Sequence, residues 1–363
     1  MLKYFKKITF RVVGVVNIIS ILAMLITGYS DRINPTDHPI ATILGLLFPA
    51  FIILNVGFLI FWIFFHWRGA WIPILGFILC YSPIRIYAPF NLQSTPPEGS
   101  IKILSYNVLM FAPWDVPVGE VNPIMKYICE SKADIVCLQE ASPHELDSKR
   151  DSMIQKVYAY KDSTQKAKSN CLVLYSKYPI LSKEIIQYES RSNLSVAYLL
   201  KVKGEKVLVI NNHFESIGFS PDEKQEFKSI VKGDIKEDSA RSESRRLLTK
   251  LSDAAKKRAP EAEAVAAYIK KYRDKGIGVI VCGDFNDSPI SYTRHTVADG
   301  LTDCYVSSGR GPGFSYNNNR MYVRIDHILC SDEWEPYNAV VDSKIGQSDH
   351  YPISCWLKKC PKP

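Results

Sequence analysis

Hydrophobic and polar positions divide the chain into two unlike stretches. Up to residue 90, three uncharged apolar runs follow one another, at 12–29, 40–65 and 70–84. A helix needs roughly 20 such residues to cross the hydrocarbon layer of a bilayer. The first two runs meet that length. The third reaches it by continuing past Arg85 to Phe90, with the arginine side chain rising to the interface. Trp62, Trp67, Trp71, Tyr81 and Tyr87 fall near the ends of these runs, where amphipathic rings favour the headgroup zone. The pattern predicts a three-helix transmembrane anchor over 1–90. A linker at 91–100 follows, its Pro, Gly and Ser marking a boundary.

After residue 100 the rhythm changes to short runs of Ile, Val and Leu. Strands are predicted at 101–108, 134–140, 171–175, 196–202, 207–212, 278–282, 321–329 and 352–357. Helical character is confined to 123–132 and to 221–272, which ends before Lys275-Gly276. Many strands with few helices between them predict stacked mixed sheets covered by helices, an α/β (α+β) domain over 101–360. The highly charged stretch 215–258 reads as a solvated helical excursion, with a lid or partner surface as the alternative. Arg258, before an Ala-rich helix, reads as a surface residue.

Charge sharpens the division. The chain has 363 residues and a formal net charge of +8. Residues 1–90 hold seven Lys/Arg and two Asp/Glu, whereas the rest hold 38 and 35. The composition excludes a disordered, collagen-like or small disulfide-scaffold protein. Most of the excess positive charge therefore lies in the apolar quarter, and the remainder offers no broad basic footprint for duplex DNA. Lys3, Lys6, Lys7 and Arg11 precede the first run and predict a cytoplasmic N-terminus. Three crossings then place the polar domain on the outer, periplasmic side of the plasma (inner) membrane. The first run also fits a cleaved signal peptide; two remaining crossings would still return the chain to the outer side.

Candidate chemistry lies at the strand ends. Ser105-Tyr-Asn107, Leu138-Gln-Glu140, Asn211-Asn-His213, Gly283-Asp-Phe-Asn-Asp287 and Ser348-Asp-His350 are each read as polar and acidic residues directly after an apolar strand run. Arg324-Ile-Asp326-His-Ile puts an acid inside one. Ionised groups beside a dry core are costly unless paired or metal-bound. Six such placements predict one convergent polar site.

The ordered set SYN, LQE, NNHF, GDFND, RIDHI and SDHYP, spread from about residue 100 to 358, resembles the endonuclease/exonuclease/phosphatase superfamily. That superfamily includes pancreatic-type deoxyribonucleases, abasic-site endonucleases, neutral sphingomyelinases and inositol polyphosphate phosphatases. The resemblance implies a four-layer α/β/β/α sandwich of two mixed sheets with the site at one end, and a metal-dependent phosphodiesterase, nuclease or phosphatase. It implies that Glu140, with Asn107 beside it and Asp349 nearby, holds a divalent cation, and oxygen ligands of this kind suit Mg²⁺ or Mn²⁺. It implies that Asp284 and Asn286 handle the attacking water and phosphoryl oxygens. His213 and His350 would then contact the scissile phosphate, and Asp326 would orient His350. Arg324 fits either a substrate contact or a structural ion pair, and Asp287 either the site or its turn.

In-line attack on a phosphoester builds charge on the non-bridging and leaving oxygens, which a cation and donors from Asn286, His213 and His350 can stabilise. A carboxylate such as Asp284 can take the water's proton, and the Asp326–His350 pair is the other candidate. Asn107 is followed by Val-Leu-Met and not by the Val-Asp-Gly of abasic-site endonucleases. Asn-Arg-Met-Tyr-Val-Arg-Ile-Asp stands where inositol phosphatases carry Pro-Ala-Trp-Thr-Asp-Arg. Nucleic acid and a lipid or other small phosphoester remain as substrate classes. The alternative is a catalytically silent, membrane-tethered binding module. Cys129, Cys137, Cys171, Cys282 and Cys330 read as core residues, a Cys355–Cys360 bridge stays open, and no zinc spacing occurs.

Overall fold

The computed structural model describes residues 2–117, 120–141, 148–167, 170–232, 237–318 and 321–360. The apolar quarter forms helices α1 (Leu2–Gly28), α2 (Phe48–Phe65), α3 (Trp71–Leu79) and α4 (Tyr81–Tyr87). The segments Tyr4–Arg32 and Ile43–Phe65 are each long and apolar enough to cross a membrane. The third run differs from the straight span expected of it: α3 and α4 meet at a bend of 67° and make a third span only if taken as one bent pair. Pro83 accounts for the bend. A proline has no N–H for the carbonyl four residues back, and its ring crowds that carbonyl. The carbonyl concerned, that of Leu79, instead accepts the Tyr29 hydroxyl at 2.8 Å.

Among these N-terminal helices, amides join α1 and α2. Asn17 Nδ2 donates to Asn55 Oδ1 at 3.0 Å, Asn55 Nδ2 donates to Ser20 Oγ at 2.9 Å, and Trp62 Nε1 donates to Asn17 Oδ1 at 3.0 Å. Both asparagines are fully buried. Polar side chains in apolar surroundings find partners on a neighbouring helix, and that fixes the pairing of the two.

The rest of the chain builds two six-stranded sheets. The strands are β1 (Ile101–Asn107), β2 (Ile135–Gln139), β3 (Tyr160–Ala167), β4 (Asn170–Ser176), β5 (Ile180–Ile185), β6 (Leu194–Val202), β7 (Glu205–His213), β8 (Gly278–Asp284), β9 (Thr302–Asp303), β10 (Tyr316–Asn318), β11 (Met321–Val323), β12 (Asp326–Cys330), β13 (Trp334–Val341) and β14 (Ile353–Lys359). One sheet runs β13-β14-β1-β2-β4-β3, the other β5-β6-β7-β8-β12-β9, and β10 and β11 form a separate hairpin. Each large sheet is antiparallel except for its central pair, β1/β2 in one and β7/β8 in the other.

Strand alternation decides which residues meet. Ile103, Ile135 and Leu174 face Val196, Val209 and Ile280 in the core between the sheets. Their neighbours Leu104, Val136 and Val173 face Ile124 and Ile128 of α5 (Pro123–Glu130) and Ile154 of α6 (Ser148–Gln155). On the far side, Leu208, Ile210 and Val281 face Ala262, Val265 and Ile269 of α8 (Glu237–Arg273). Sheets buried on both faces need covering helices on both outer sides, and the four-layer α/β/β/α sandwich follows. Further helices are α7 (Pro221–Lys232), α9 (Tyr292–Val297) and α10 (Cys304–Ser308). All nine cysteines are free, so Cys355 and Cys360 are not bridged.

The N-terminal helices pack directly on this sandwich. Ile290 joins Met24, Phe48 and Cys80 in one apolar cluster. Asn34 donates to Glu263 of α8 at 3.1 Å, and Asn91 donates to the carbonyls of Val306 at 3.1 Å and Gly309 at 2.7 Å. Asn91 thus ties the segment after α4 to the sandwich.

Candidate active site

The parallel central pairs explain why the motifs converge. Parallel neighbours end at the same edge of a sheet, so β1, β2, β7 and β8 all deliver their last residues to one end of the sandwich. Asn107, His213 and Asp284 are the final residues of β1, β7 and β8, and Glu140 follows β2. The antiparallel neighbours β12 and β14 start at that end. Asp326 opens β12, and Asp349 and His350 come just before β14.

Asp284 is the hub. Its Oδ2 accepts from Asn107 Nδ2 at 3.1 Å and lies 3.8 Å from His213 Nε2 and 3.6 Å from His350 Nε2. Asn107 Nδ2 also donates to Glu140 Oε1 at 3.1 Å, and that oxygen stands 3.7 Å from His213 Nε2. His350 Nδ1 is 2.9 Å from Asp326 Oδ2. The carboxylates of Asp284 and Asp326 and the imidazole of His350 offer ligand atoms all within 4.8 Å of one another. Apart from Glu140 and Asp349, these side chains are buried.

Unusual backbone holds two of them. Glu140 at φ 52° and Asn286 at φ 51° are left-handed, a conformation uncommon outside glycine and concentrated at functional sites. Leu109, Met110, Phe111 and Ala112 are all left-handed as well, and Met110 N–H donates to the Glu140 carbonyl at 2.8 Å. Left-handed residues cost roughly 1–2 kcal/mol each; full burial of Phe111 and Ala112 offsets part of this. Gly283 has φ 141°, and a Cβ there would stand 2.1 Å from the Asn212 carbonyl oxygen. Only glycine lets β7 and β8 approach this closely just before Asp284.

Neighbours set the protonation of each group. Burial pushes Asp284 up to about 6, against the pull of His350. Burial likewise raises Glu140, with the Asn107 hydrogen bond opposing it. His350 would be lowered by burial, but the charges of Asp326 and Asp284 outweigh that and raise it to about 10. Burial lowers His213, with Asp284 acting the other way. The two histidines therefore differ: His350 is held as an imidazolium and His213 as neutral imidazole. The Asn170 amide donates to the Ser192 carbonyl at 2.7 Å, so its Oδ1, 3.1 Å from His213 Nδ1, faces that ring nitrogen as an acceptor. This assigns the His213 proton to Nδ1.

Asn286 N–H donates to Asp284 Oδ1 at 2.8 Å and Asn286 Nδ2 to the Phe214 carbonyl at 2.9 Å, which fixes the side chain against the end of β7. Asp349 Oδ2 accepts from Asn318 Nδ2 at 3.1 Å, and its charge reaches Glu140. The carboxylates gathered here are the oxygen donors a hard divalent cation takes, whereas Asn107 turns Nδ2 to Glu140 and Asp284 while its Oδ1 accepts the Leu109 N–H at 3.2 Å. Two acids raised by burial and Asp326 Oδ1, which is buried without a hydrogen-bond partner, fit such a cation as well.

Two residues stand elsewhere than the sequence reading placed them. Arg324 makes no contact with the site. It is 1% exposed, and its guanidinium donates to the carbonyls of Ile86, Tyr87 and Pro312 and lies 4.5 Å from the Tyr305 ring centroid. Its partners are thus carbonyls and an aromatic face, a structural role. Arg258 is not a surface residue: it is 3% exposed, with Nε 3.2 Å from Asp287 Oδ2 and Nη1 donating to the Glu215 carbonyl at 2.9 Å. Asp287 is tied to that guanidinium and to the Thr293 hydroxyl at 2.8 Å, which shapes the turn.

Other neighbours gave no signal in the sequence. Asn170 orients His213, and Tyr316 meets His350 edge-on with ring centroids 5.1 Å apart. Lys224 of α7 lies 5.6 Å from the Tyr316 ring centroid, so the charged helical stretch leans over the site. Gln139 donates to Asn211 Oδ1 at 2.7 Å and ties the two sheets together beneath it.

Comparison with known proteins agrees with this architecture. The profile of the endonuclease/exonuclease/phosphatase family matches residues 104–350, and that of a domain of unknown function (DUF8431) matches residues 10–87. No curated protein matches the chain. Among solved structures, the human nocturnin catalytic domain with bound sulfate superposes with a TM-score of 0.52 at 17% identity, covering 74% of this chain and 100% of that one. The mannosyl-6-phosphatase of Bacteroides thetaiotaomicron gives 0.51 at 18%, covering 71% and 100%. Truncated Caenorhabditis elegans TDP2 gives 0.51 at 14%, covering 72% and 99%. At such identities the likeness is one of fold.

Proposed function

The chain belongs to the endonuclease/exonuclease/phosphatase family, hydrolases acting on ester bonds, and from that premise we propose a membrane-anchored phosphoesterase that depends on a divalent cation. Residues 1–90 are the anchor, 91–100 the linker and 101–360 the catalytic domain. The observation that carries the reading is the convergence on Asp284, whose Oδ2 lies within 4 Å of Asn107, His213 and His350 at the joined ends of both sheets.

Glu140, Asn107 and Asp349 would hold Mg²⁺ or Mn²⁺, which supplies Lewis-acid stabilisation of phosphoryl charge. Asp284 accepts the proton of the attacking water, a role its raised pKa of about 6 suits near neutral pH. His350, protonated by its pairing with Asp326, offers Nε2–H to a non-bridging oxygen where charge develops. Asn286 offers its amide to the same phosphoryl group. His213, with its proton on Nδ1, turns Nε2 toward the site and becomes a phosphate donor only when protonated there. The chain's residues thus orient a phosphoester for in-line displacement, with phosphodiester and phosphomonoester both accommodated by this chemistry.

The full-length protein in detergent, incubated with Mg²⁺ or Mn²⁺, is expected to hydrolyse at least one member of a panel of DNA, RNA, phospholipids and small phosphoesters. EDTA should abolish the activity and added cation restore it. Hydrolysis of none of them with either cation would leave the silent binding module as the better reading. The four basic residues before the first span support a cytoplasmic N-terminus and an outward catalytic domain. A periplasmically active reporter fused after Pro363 should then work, and one active only in the cytoplasm would reverse the orientation.

A further inference from the structure

The anchor does not meet the catalytic domain at an arbitrary place. It docks at the end of the sandwich that carries the site, through the two segments that carry catalytic side chains. In the first, Asn286 is followed four residues later by Ile290, which sits among Met24 near the end of α1, Phe48 at the start of α2 and Cys80 at the α3–α4 bend. Four residues span at most about 14 Å. In the second, Asp326 lies two residues after Arg324, whose guanidinium holds the Ile86 and Tyr87 carbonyls at the end of α4. Two residues span at most about 7 Å. The polar centre therefore stands within one short chain step of the apolar helices, which would set it near the headgroups of a bilayer those helices crossed.

The rim is shaped for that zone. Trp114, on the segment after β1, is 60% exposed, and Tyr322, on the β10–β11 hairpin whose Tyr316 packs on His350, is 52% exposed. Both belong to the catalytic end, and amphipathic aromatic rings favour a membrane interface. The soluble domain's near balance of Lys/Arg and Asp/Glu offers little counterion release for binding a nucleic-acid backbone.

We infer that the substrate is a phosphoester carried by a lipid of the same bilayer, presented to the site by its headgroup, and not a nucleic acid. This rests on the phosphoesterase reading above and narrows it. The ester bond broken joins phosphorus to an oxygen, water supplies the new oxygen, and the leaving oxygen takes a proton.

The test reconstitutes the full-length protein in vesicles of phosphatidylcholine, phosphatidylethanolamine, phosphatidylglycerol and sphingomyelin with Mg²⁺. Bis(p-nitrophenyl) phosphate and a single-stranded DNA oligomer serve as water-soluble comparators, and protein-free vesicles of the same lipids carry a distinguishable label. Lipid in the protein's own bilayer should be hydrolysed at least tenfold faster than DNA and at least tenfold faster than lipid in the protein-free vesicles. Faster cleavage of DNA, equal rates on the two vesicle populations, or hydrolysis of bis(p-nitrophenyl) phosphate without any of lipid would overturn the inference while sparing the phosphoesterase reading. No hydrolysis of anything would remove both. The double variant Trp114→Ala, Tyr322→Ala should lower lipid hydrolysis at least fivefold more than hydrolysis of bis(p-nitrophenyl) phosphate; an unchanged ratio counts against the rim.

Discussion

Asp284→Asn is expected to lower kcat roughly 10²–10⁴-fold on any phosphoester the enzyme accepts, the range associated with loss of a positioned general base. An asparagine keeps the volume and still accepts the Asn286 N–H now bonded to Asp284 Oδ1, so the fold should survive. What disappears is the acceptor facing Asn107, His213 and His350. The pH profile separates this role from a structural one. A base must be ionised, and Asp284 is pushed up to about 6, so kcat/KM of the parent enzyme should fall as pH drops through about 6. A cation nearby moves that limb to lower pH, because it favours the carboxylate. His350, raised to about 10, stays protonated across the neutral range and contributes no limb there. The residual activity of the variant should lack the acid limb. A variant that keeps both the rate and the limb would show that the Asp326–His350 pair takes the proton.

Arg324→Ala should lower the stability of the full-length protein by about 1–3 kcal/mol or more, the usual cost of leaving buried acceptors unsatisfied. Burial lowers the guanidinium to about 10, with Asp303 opposing, so it is charged at neutral pH. Burial alone would raise Asp303, yet Arg294 above all holds it well below the ordinary carboxylate range. Alanine leaves the carbonyls of Ile86, Tyr87 and Pro312 without this donor and opens a cavity beneath Tyr305. The thermal midpoint in detergent should fall by several degrees. Arg324→Lys should recover only part, because an ammonium lacks the planar fork that spans three carbonyls. A midpoint within a degree of the parent for the alanine variant would mean that the anchor is held by other contacts.

The centre of the fold was legible in the sequence because its strands are buried on both faces and read as continuous apolar runs. β1, β2, β4 and β6 to β8 were marked by such runs. The strands β3, β5 and β13 were not: β5 is mostly exposed and β3 mixes Lys, Asp and Gln, as edge strands do. The run 321–329 contains two strands, β11 and β12, separated where the chain turns toward Arg324. At the site, the acids and histidines were legible as residue types after apolar runs. Their helpers were not, because each reports a contact and not a pattern. Asn170 reaches His213 across 43 positions, and nothing local to either predicts it. The left-handed turn at Leu109–Ala112 contains no glycine, so the usual signal for such backbone is missing. Arg324 shows the limit most clearly. Its neighbour Asp326 suggested the site, but two of its partners, the carbonyls of Ile86 and Tyr87 that end α4, lie 238 and 237 residues earlier.

The buried amides of Asn17 and Asn55 bear on how the enzyme meets its substrate. In hydrocarbon neither can exchange its partner for water, so α1 and α2 cannot rotate or slide past each other without stranding a polar group. With the anchor docked on the sandwich as well, the catalytic head cannot swing like a bead on a string. With the membrane anchor and lipid substrate proposed above, its search would be two-dimensional, the head waiting at fixed height and tilt while lipids diffuse laterally to it. Its rate would then follow the mole fraction of substrate in the bilayer and stay indifferent to the volume of the surrounding solution.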